Sequence, residues 1–187
     1  MQAAGLSNPA LGSLLASGVN LLAMVLAVPL MESVGRKKLL LLGTQGMLGA
    51  GVLLCSVLAA KAASLTLLPA PLLNGLSVLA ILAFVSAFEV GPGPIPWQIG
   101  GEIFPEAPRA SAMSLAATVN WLCNAAIGLS FPVMQRALGP LAFLPFCAVL
   151  FAWTQFTRRY VPETKGKSVG EVGEELAAIA AGGKPLD

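Results

Sequence analysis

The chain has 187 residues, of which 56% are hydrophobic and 11% charged, with a formal net charge of +2 and a mean hydropathy of +0.80. A soluble domain carries about 25% charge, so this composition excludes a chain able to cover a water-facing surface with polar groups and points to an integral membrane protein. There is no histidine, the commonest general base and metal ligand, and the basic residues are scattered between apolar blocks, so a conventional hydrolase, a zinc site and a nucleic-acid partner are all disfavoured.

A bilayer core of about 30 Å needs about 20 helical residues, and five stretches qualify. A short N-terminal segment, residues 1–9, has neither the basic flank nor the apolar core of a secretory signal. The first span covers about 10–30, where Ser13, Ser17 and Asn20 share one helical face. Glu32 and Arg36 follow in the loop SVGRKK and its flank. The second span, 39–60, carries small residues at 43, 46 and 50, a pattern of close helix packing.

The third span, 75–97, ends in EVGPGPIPW. Pro92, Pro94 and Pro96 each remove an amide donor and clash with a preceding carbonyl, so the helix is expected to kink or unwind there. Gly91 and Gly93 permit close backbone approach. A bilayer tolerates such a break only where it is packed in protein or lines a watery cavity, and broken helices are where transporters bind substrate. Glu89 is costly at mid-helix, about 3 kcal/mol. It either accepts hydrogen bonds from a bound hydroxyl or is paired inside the protein. Trp97 offers a flat apolar face with one N–H donor, which suits a sugar ring or the membrane interface.

After the loop holding Glu102 and Arg109, the fourth span covers 110–130. Asn120 and Asn124 are four residues apart and project from one face, next to Thr118 and Trp121. Their amides both donate and accept, as a neutral polyol requires, or serve as glue between helices. The fifth span is 139–157. The tail, 161–187, contains PETKGKS with Glu163, then an S-x-x-E capping box at Ser168 and Glu171. Val169, Val172, Leu176 and Ile179 recur at helical spacing, predicting a short amphipathic surface helix. Cys55, Cys123 and Cys147 sit in apolar runs at no metal-ligand spacing and read as small buried hydrophobes; no metal or cofactor is expected.

The cations set an orientation. Arg36, Lys37, Lys38, Arg109, Arg158, Arg159, Lys165, Lys167 and Lys184 fall on one side of this layout, against Lys61 and Arg136 on the other. That bias places the C-terminus in the cytoplasm, or the stroma of an organelle, and the N-terminus opposite.

Together, Glu32–Gly35–Arg36–Lys37, the run from Glu89 to Trp97, Gly101–Glu102–Ile103–Phe104–Pro105, Pro108–Arg109 and Pro162–Glu163–Thr164–Lys165–Gly166 resemble a sugar porter of the major facilitator superfamily. The resemblance covers roughly residues 10 to 175 and matches the later part of a twelve-span transporter, from its eighth span to its tail. It implies an all-α membrane fold, a partial C-terminal bundle of five helices. It implies that Asn20, Glu89, Trp97, Asn120 and Asn124 contact a sugar, with Trp121 on a family tryptophan. Glu32, Arg36, Glu102, Arg109 and Glu163 resemble the family's cytoplasmic charge network, which ties helices together in the outward-open state. The implied activity is movement of a hexose by alternating access, without covalent chemistry. It needs the missing N-terminal half as partner, so a lone copy is not expected to transport. A truncated, non-transporting membrane paralogue acting as a regulatory or interaction subunit is the alternative.

Overall fold

The computed structural model describes residues 9–63 and 68–182, with side chains from Ser17 onward and at Leu14 in the first helix. Most of the expected N-terminal segment, the Ser13 side chain and Lys184 lie outside the described residues. The chain order is α1 (Pro9–Val34), α2 (Arg36–Ala62), α3 (Ala70–Val90), α4 (Ile95–Ile103), α5 (Glu106–Leu138), a 3-10 turn (Gly139–Leu141), α6 (Leu144–Tyr160) and α7 (Val169–Ala180). Among the described residues there is no strand, as befits apolar segments that must satisfy their own backbone away from water.

Among the described residues, four helical stretches are long and apolar enough to cross a membrane: Ser17–Val34, Arg36–Ala62, Ala70–Ile103 and Glu106–Leu141. The fifth expected span is α6, whose 17 residues rise about 25 Å, with the 3-10 turn ahead of it. The helices outrun the apolar stretches that announced them. LPAPLLNG reads as a loop, yet α3 begins within it at Ala70. Pro71 stands in the first turn, where a missing N–H costs nothing. Likewise α5 already includes Arg109 and runs on through Leu138. Hydropathy reports the embedded part of a helix, and the hydrogen-bond ladder continues past it.

One residue separates α1 from α2. Gly35 has φ 102° and ψ 157°, a conformation essentially confined to glycine. From this corner α2 runs through the middle of the assembly and packs against α1, α3 and α6. Its contact with the end of α3 is backbone on backbone. A Cβ at Gly43 would lie 2.6 Å from Pro92 Cδ, 2.7 Å from the Ala87 carbonyl oxygen and 2.9 Å from Gly91 Cα. Backbone cannot swing aside as a long side chain can. Gly43→Ala is therefore expected to cost about 3 kcal/mol, the upper end for overpacking, read as a lower melting temperature in detergent. An unchanged melting curve would mean that the two helices slide apart freely.

Below that contact a core forms from Ala27, Met31, Leu39, Leu40, Ile95 and Ile99, with Val90, Ile103 and Val161 against it. It locks α1, α2 and α4 together at one end of the bundle. By contrast, α5 has no buried residue; it packs mainly on α4 and on the 3-10 turn, and its Phe131 also meets Phe146 of α6. Cys123, on α5, is exposed, which corrects the expectation of three buried thiols; Cys55 and Cys147 are buried.

In α7 the Ser168 side chain accepts from the Glu171 N–H while the Glu171 carboxylate accepts from the Ser168 N–H, a complete capping box. Val172 and Ile179 are buried, α7 packs on α4, and Lys167 pairs with Glu175 at 2.5 Å. The hydrogen bonds from Ser168 hold the Glu171 carboxyl below its usual pKa. A carboxyl depressed in the folded state contributes above its unfolded value and loses that contribution as pH falls through the folded one. Glu171→Ala is thus expected to speed amide exchange in the first turn of α7 by about five-fold at neutral pH, a typical cap loss. The gap between variant and parent should close below the ordinary glutamate range, where the parent carboxyl is protonated. A gap that persists in acid would show that the Glu171 charge takes no part in the cap.

Candidate functional site

The proline-rich segment forms a turn over residues 91–94 between α3 and α4. Its alternation has a consequence for hydrogen bonding. Prolines at 92, 94 and 96 leave N–H groups only at Gly91, Gly93 and Ile95. Gly91 and Gly93 donate to the Phe88 carbonyl at 3.3 and 2.8 Å, and Ile95 donates to the Gly91 carbonyl at 3.2 Å. No amide donor of the break is orphaned, so it avoids the penalty that an unpaired N–H incurs in an apolar medium. Gly91 also needs its missing Cβ, which would lie 2.7 Å from the Leu39 carbonyl oxygen.

Glu89 sits two residues before the break. Its carboxylate accepts from the Asn20 side-chain amide of α1 at 2.6 Å. A carboxylate has roughly four lone-pair sites and a primary amide has a second N–H and a carbonyl, so this pair retains capacity for a polar ligand. Trp97 lies on α4 just past the turn, with 43% of its surface exposed. The structure brings Asn20 to Glu89 but does not bring the α5 amides to them. Asn124 instead donates to the backbone carbonyl of Asn120 at 2.9 Å. Asn120, Asn124 and Trp121 are all exposed.

At the far end of α4 the charged residues form a second constellation. Arg36 donates to Glu102 through Nε at 3.1 Å and Nη2 at 2.9 Å, a charge-assisted, side-on pair. It also donates to the Met31 carbonyl at the end of α1. The second oxygen of Glu102 accepts from the Thr164 hydroxyl. Glu163 takes the N-terminus of α2: its carboxylate accepts from the backbone N–H of Arg36 at 2.8 Å and of Lys37 at 3.2 Å. The same carboxylate accepts from the N–H groups of Thr164 and Lys165. Lys165 in turn donates to the Ser33 carbonyl at 2.7 Å, near the end of α1.

Two members of the expected network stand apart from it. Glu32 is exposed, and Arg109 donates to the Phe104 carbonyl at 3.0 Å, fixing the start of α5 to the end of α4. Sequence reasoning treated Glu163 as a charge partner and missed its larger role. No side chain near α2 caps its N-terminus, so four orphan N–H groups and a partial positive charge are left there, and a carboxylate from beyond α6 supplies the acceptor. The visible signal was Gly35, whose absent side chain makes the space. Thr164 and Lys165 were likewise not singled out.

A cavity of about 520 Å³ lies elsewhere, between α2, α3, α5 and α6, lined by Met47, Phe84, Phe131, Phe143, Phe146 and Leu150 among others. Its walls are wholly apolar, so it offers a polar ligand no hydrogen bond. Among the described residues there is no cluster of metal-ligating side chains.

Comparison with known proteins gives these features a context. The family model described as sugar (and other) transporter matches residues 1–176. The chain is 39% identical over 171 residues to the mouse solute carrier family 2, facilitated glucose transporter member 4, covering 91% of this chain and 32% of that protein. It is 39% identical over 176 residues to member 2 from pig, covering 94% and 32%. Among solved structures, the inward-open xylose transporter XylE from E. coli superposes with a TM-score of 0.76 at 27% identity, over 92% of this chain and 38% of that one. XylE bound to 6-bromo-6-deoxy-D-glucose superposes with a TM-score of 0.75 at 27% identity, over 88% and 34%. The chain therefore spans about a third of the length of these relatives.

Proposed function

The chain belongs to the sugar transporter family, and we propose from this that it is the later part of an integral membrane protein that moves a hexose by alternating access. Asn20, Glu89, Trp97, Asn120 and Asn124 are its share of the sugar site, and the helix break from Gly91 to Pro96 is the bend beside it. The observation that carries this reading is the Asn20–Glu89 hydrogen bond. It is a polar pair with spare capacity inside an apolar bundle, directly before a broken helix. Intramembrane polar groups face a bundle interior or a watery path because acyl chains cannot solvate them. Asn120 and Asn124 join the site once α5 is closed in by the segments that make up the rest of the longer relatives.

The constellation around Arg36, Glu102 and Glu163 belongs, on this reading, to the cytoplasmic (or stromal) end, with Glu32 and Arg109 at its edge. It holds α1, α2, α4 and the tail together in one state of the cycle and releases them in the other. The basic residues gathered there support that orientation. The partners are then the sugar, the bilayer and the missing N-terminal half.

The test is uptake of radiolabelled hexose into proteoliposomes, comparing this chain with a form extended upstream in frame. Uptake by the extended form, competed by unlabelled hexose and absent for the chain alone, is the expected result. If neither form takes up hexose while both insert, the alternative of a non-transporting regulatory paralogue replaces it.

A further inference from the structure

The last two turns of α6 carry a feature that sugar transport does not use. Trp153 and Phe156 stack with ring centres 5.2 Å apart, and Phe156 meets Tyr160 at 5.1 Å. All three rings are exposed, between 42 and 45%, while their neighbours Thr154 and Thr157 face inward and are buried. The ladder ends in cations. The Arg159 guanidinium lies 5.7 Å from the centre of the Tyr160 ring, and Arg158 is exposed next to it.

Neither arginine has a carboxylate partner among the described residues. The nearest downstream acid, Glu163, is engaged by the N-terminus of α2. That engagement also brings the start of α2 to this end of α6, so exposed Lys38 stands at the same end of the bundle.

We propose that this surface is a binding site for an anionic phospholipid, with an acyl chain along the Trp153–Phe156–Tyr160 ladder and the phosphate held by Arg158 and Arg159. It rests on the membrane reading alone and not on sugar binding. The charge complementarity sets the occupant: two guanidinium forks without acids match phosphate oxygens, which they can take in pairs. The rings match the part of a lipid below its phosphate, since aromatic side chains settle at the headgroup level with an apolar body inward. A water-soluble phosphate compound would use the arginines and leave the ladder bare. A helix from a protein partner would use the ladder and leave two charges to be neutralised.

The experiment uses the intrinsic fluorescence of Trp153. The chain has three tryptophans, so W97F/W121F leaves Trp153 alone. Reconstituted in phosphatidylcholine, it is titrated with phosphatidylserine or phosphatidylcholine brominated on the acyl chains, which quench on contact. Brominated phosphatidylserine is expected to quench at a lower mole fraction, by about five-fold for each arginine near the surface. R158Q/R159Q should make the two curves coincide, and R158K/R159K, which keeps the charge and loses the fork, should restore part of the separation. Circular dichroism checks that each variant keeps its helix.

Curves that coincide before any substitution would overturn the proposal, leaving ordinary annular lipid. So would a preference indifferent to R158Q/R159Q. Protection of Trp153 from both lipids, together with elution as a dimer, would assign the face to a second copy instead. Loss of the preference on adding soluble inorganic phosphate would assign the arginines to a free anion.

Discussion

Glu89→Ala is expected to bring hexose uptake by the upstream-extended protein down to background while leaving the amount inserted unchanged. The substitution removes one partner of a short charged hydrogen bond, Asn20 to Glu89 at 2.6 Å. A hydrogen bond to a charged group contributes about 1.5–3 kcal/mol, so uptake efficiency should fall by about 10-fold to 150-fold. On the proposed reading two losses combine: the carboxylate no longer meets a sugar hydroxyl, and Asn20 loses the acceptor that orients its amide. Insertion should not suffer, because alanine in a bilayer costs less than glutamate. Glu89→Gln separates the two effects. It keeps an acceptor for Asn20 and should retain part of the activity with a raised KM. Saturation curves for Glu89→Ala that overlay those of the parent would remove this residue from the site.

The parts of the fold that could be read in advance are those the bilayer makes expensive. Apolar runs near 20 residues, three alternating prolines and the Ser168–Glu171 box each state a local cost or its remedy, and each appears as helix, turn or cap. Helix ends were less legible. Pro71 and Pro108 look like loop residues, yet both fall in first turns, where proline is free. Long-range pairing was legible only as residue types. The motifs marked Arg36, Glu102 and Glu163 as charges belonging together, but nothing local says that Glu163 should serve the N-terminus of a helix 127 residues earlier in the chain. Nor does a shared helical face say what it meets. Asn120 and Asn124 lie on one face of α5, and that helix has no buried residue.

Gly35→Ala and Glu163→Ala are expected to fail in the same way, and not additively. A Cβ at Gly35 would lie 2.5 Å from Glu163 Oε2 and 2.9 Å from its Cδ, so the added methyl would occupy the seat of the carboxylate. Glu163→Ala empties that seat from the other side. Either change leaves the Arg36 and Lys37 N–H groups without their acceptor at a helix N-terminus. A charge-assisted hydrogen bond contributes about 1.5–3 kcal/mol; with these groups only part-buried, a loss of about 3 kcal/mol for the pair is reasonable. Gly35→Ala adds strain of about 1–3 kcal/mol, because φ 102° is closed to alanine. The single changes should therefore lower the melting temperature in detergent by several degrees, with Gly35→Ala the more severe. Added to Gly35→Ala, Glu163→Ala should cost only about 1 kcal/mol or less more, since contacts shared by two residues are lost once; added to Glu163→Ala, Gly35→Ala should still add its backbone strain. Glu163→Gln keeps an acceptor oxygen for only one of the two N–H groups, since Arg36 and Lys37 donate to different carboxylate oxygens, and it loses the attraction between a full negative charge and the helix dipole, about 0.3–1 kcal/mol. It should fall between parent and Glu163→Ala. Full additivity of Gly35→Ala and Glu163→Ala would show that the carboxylate and the glycine corner act independently, and the remote cap on α2 would have to be given up.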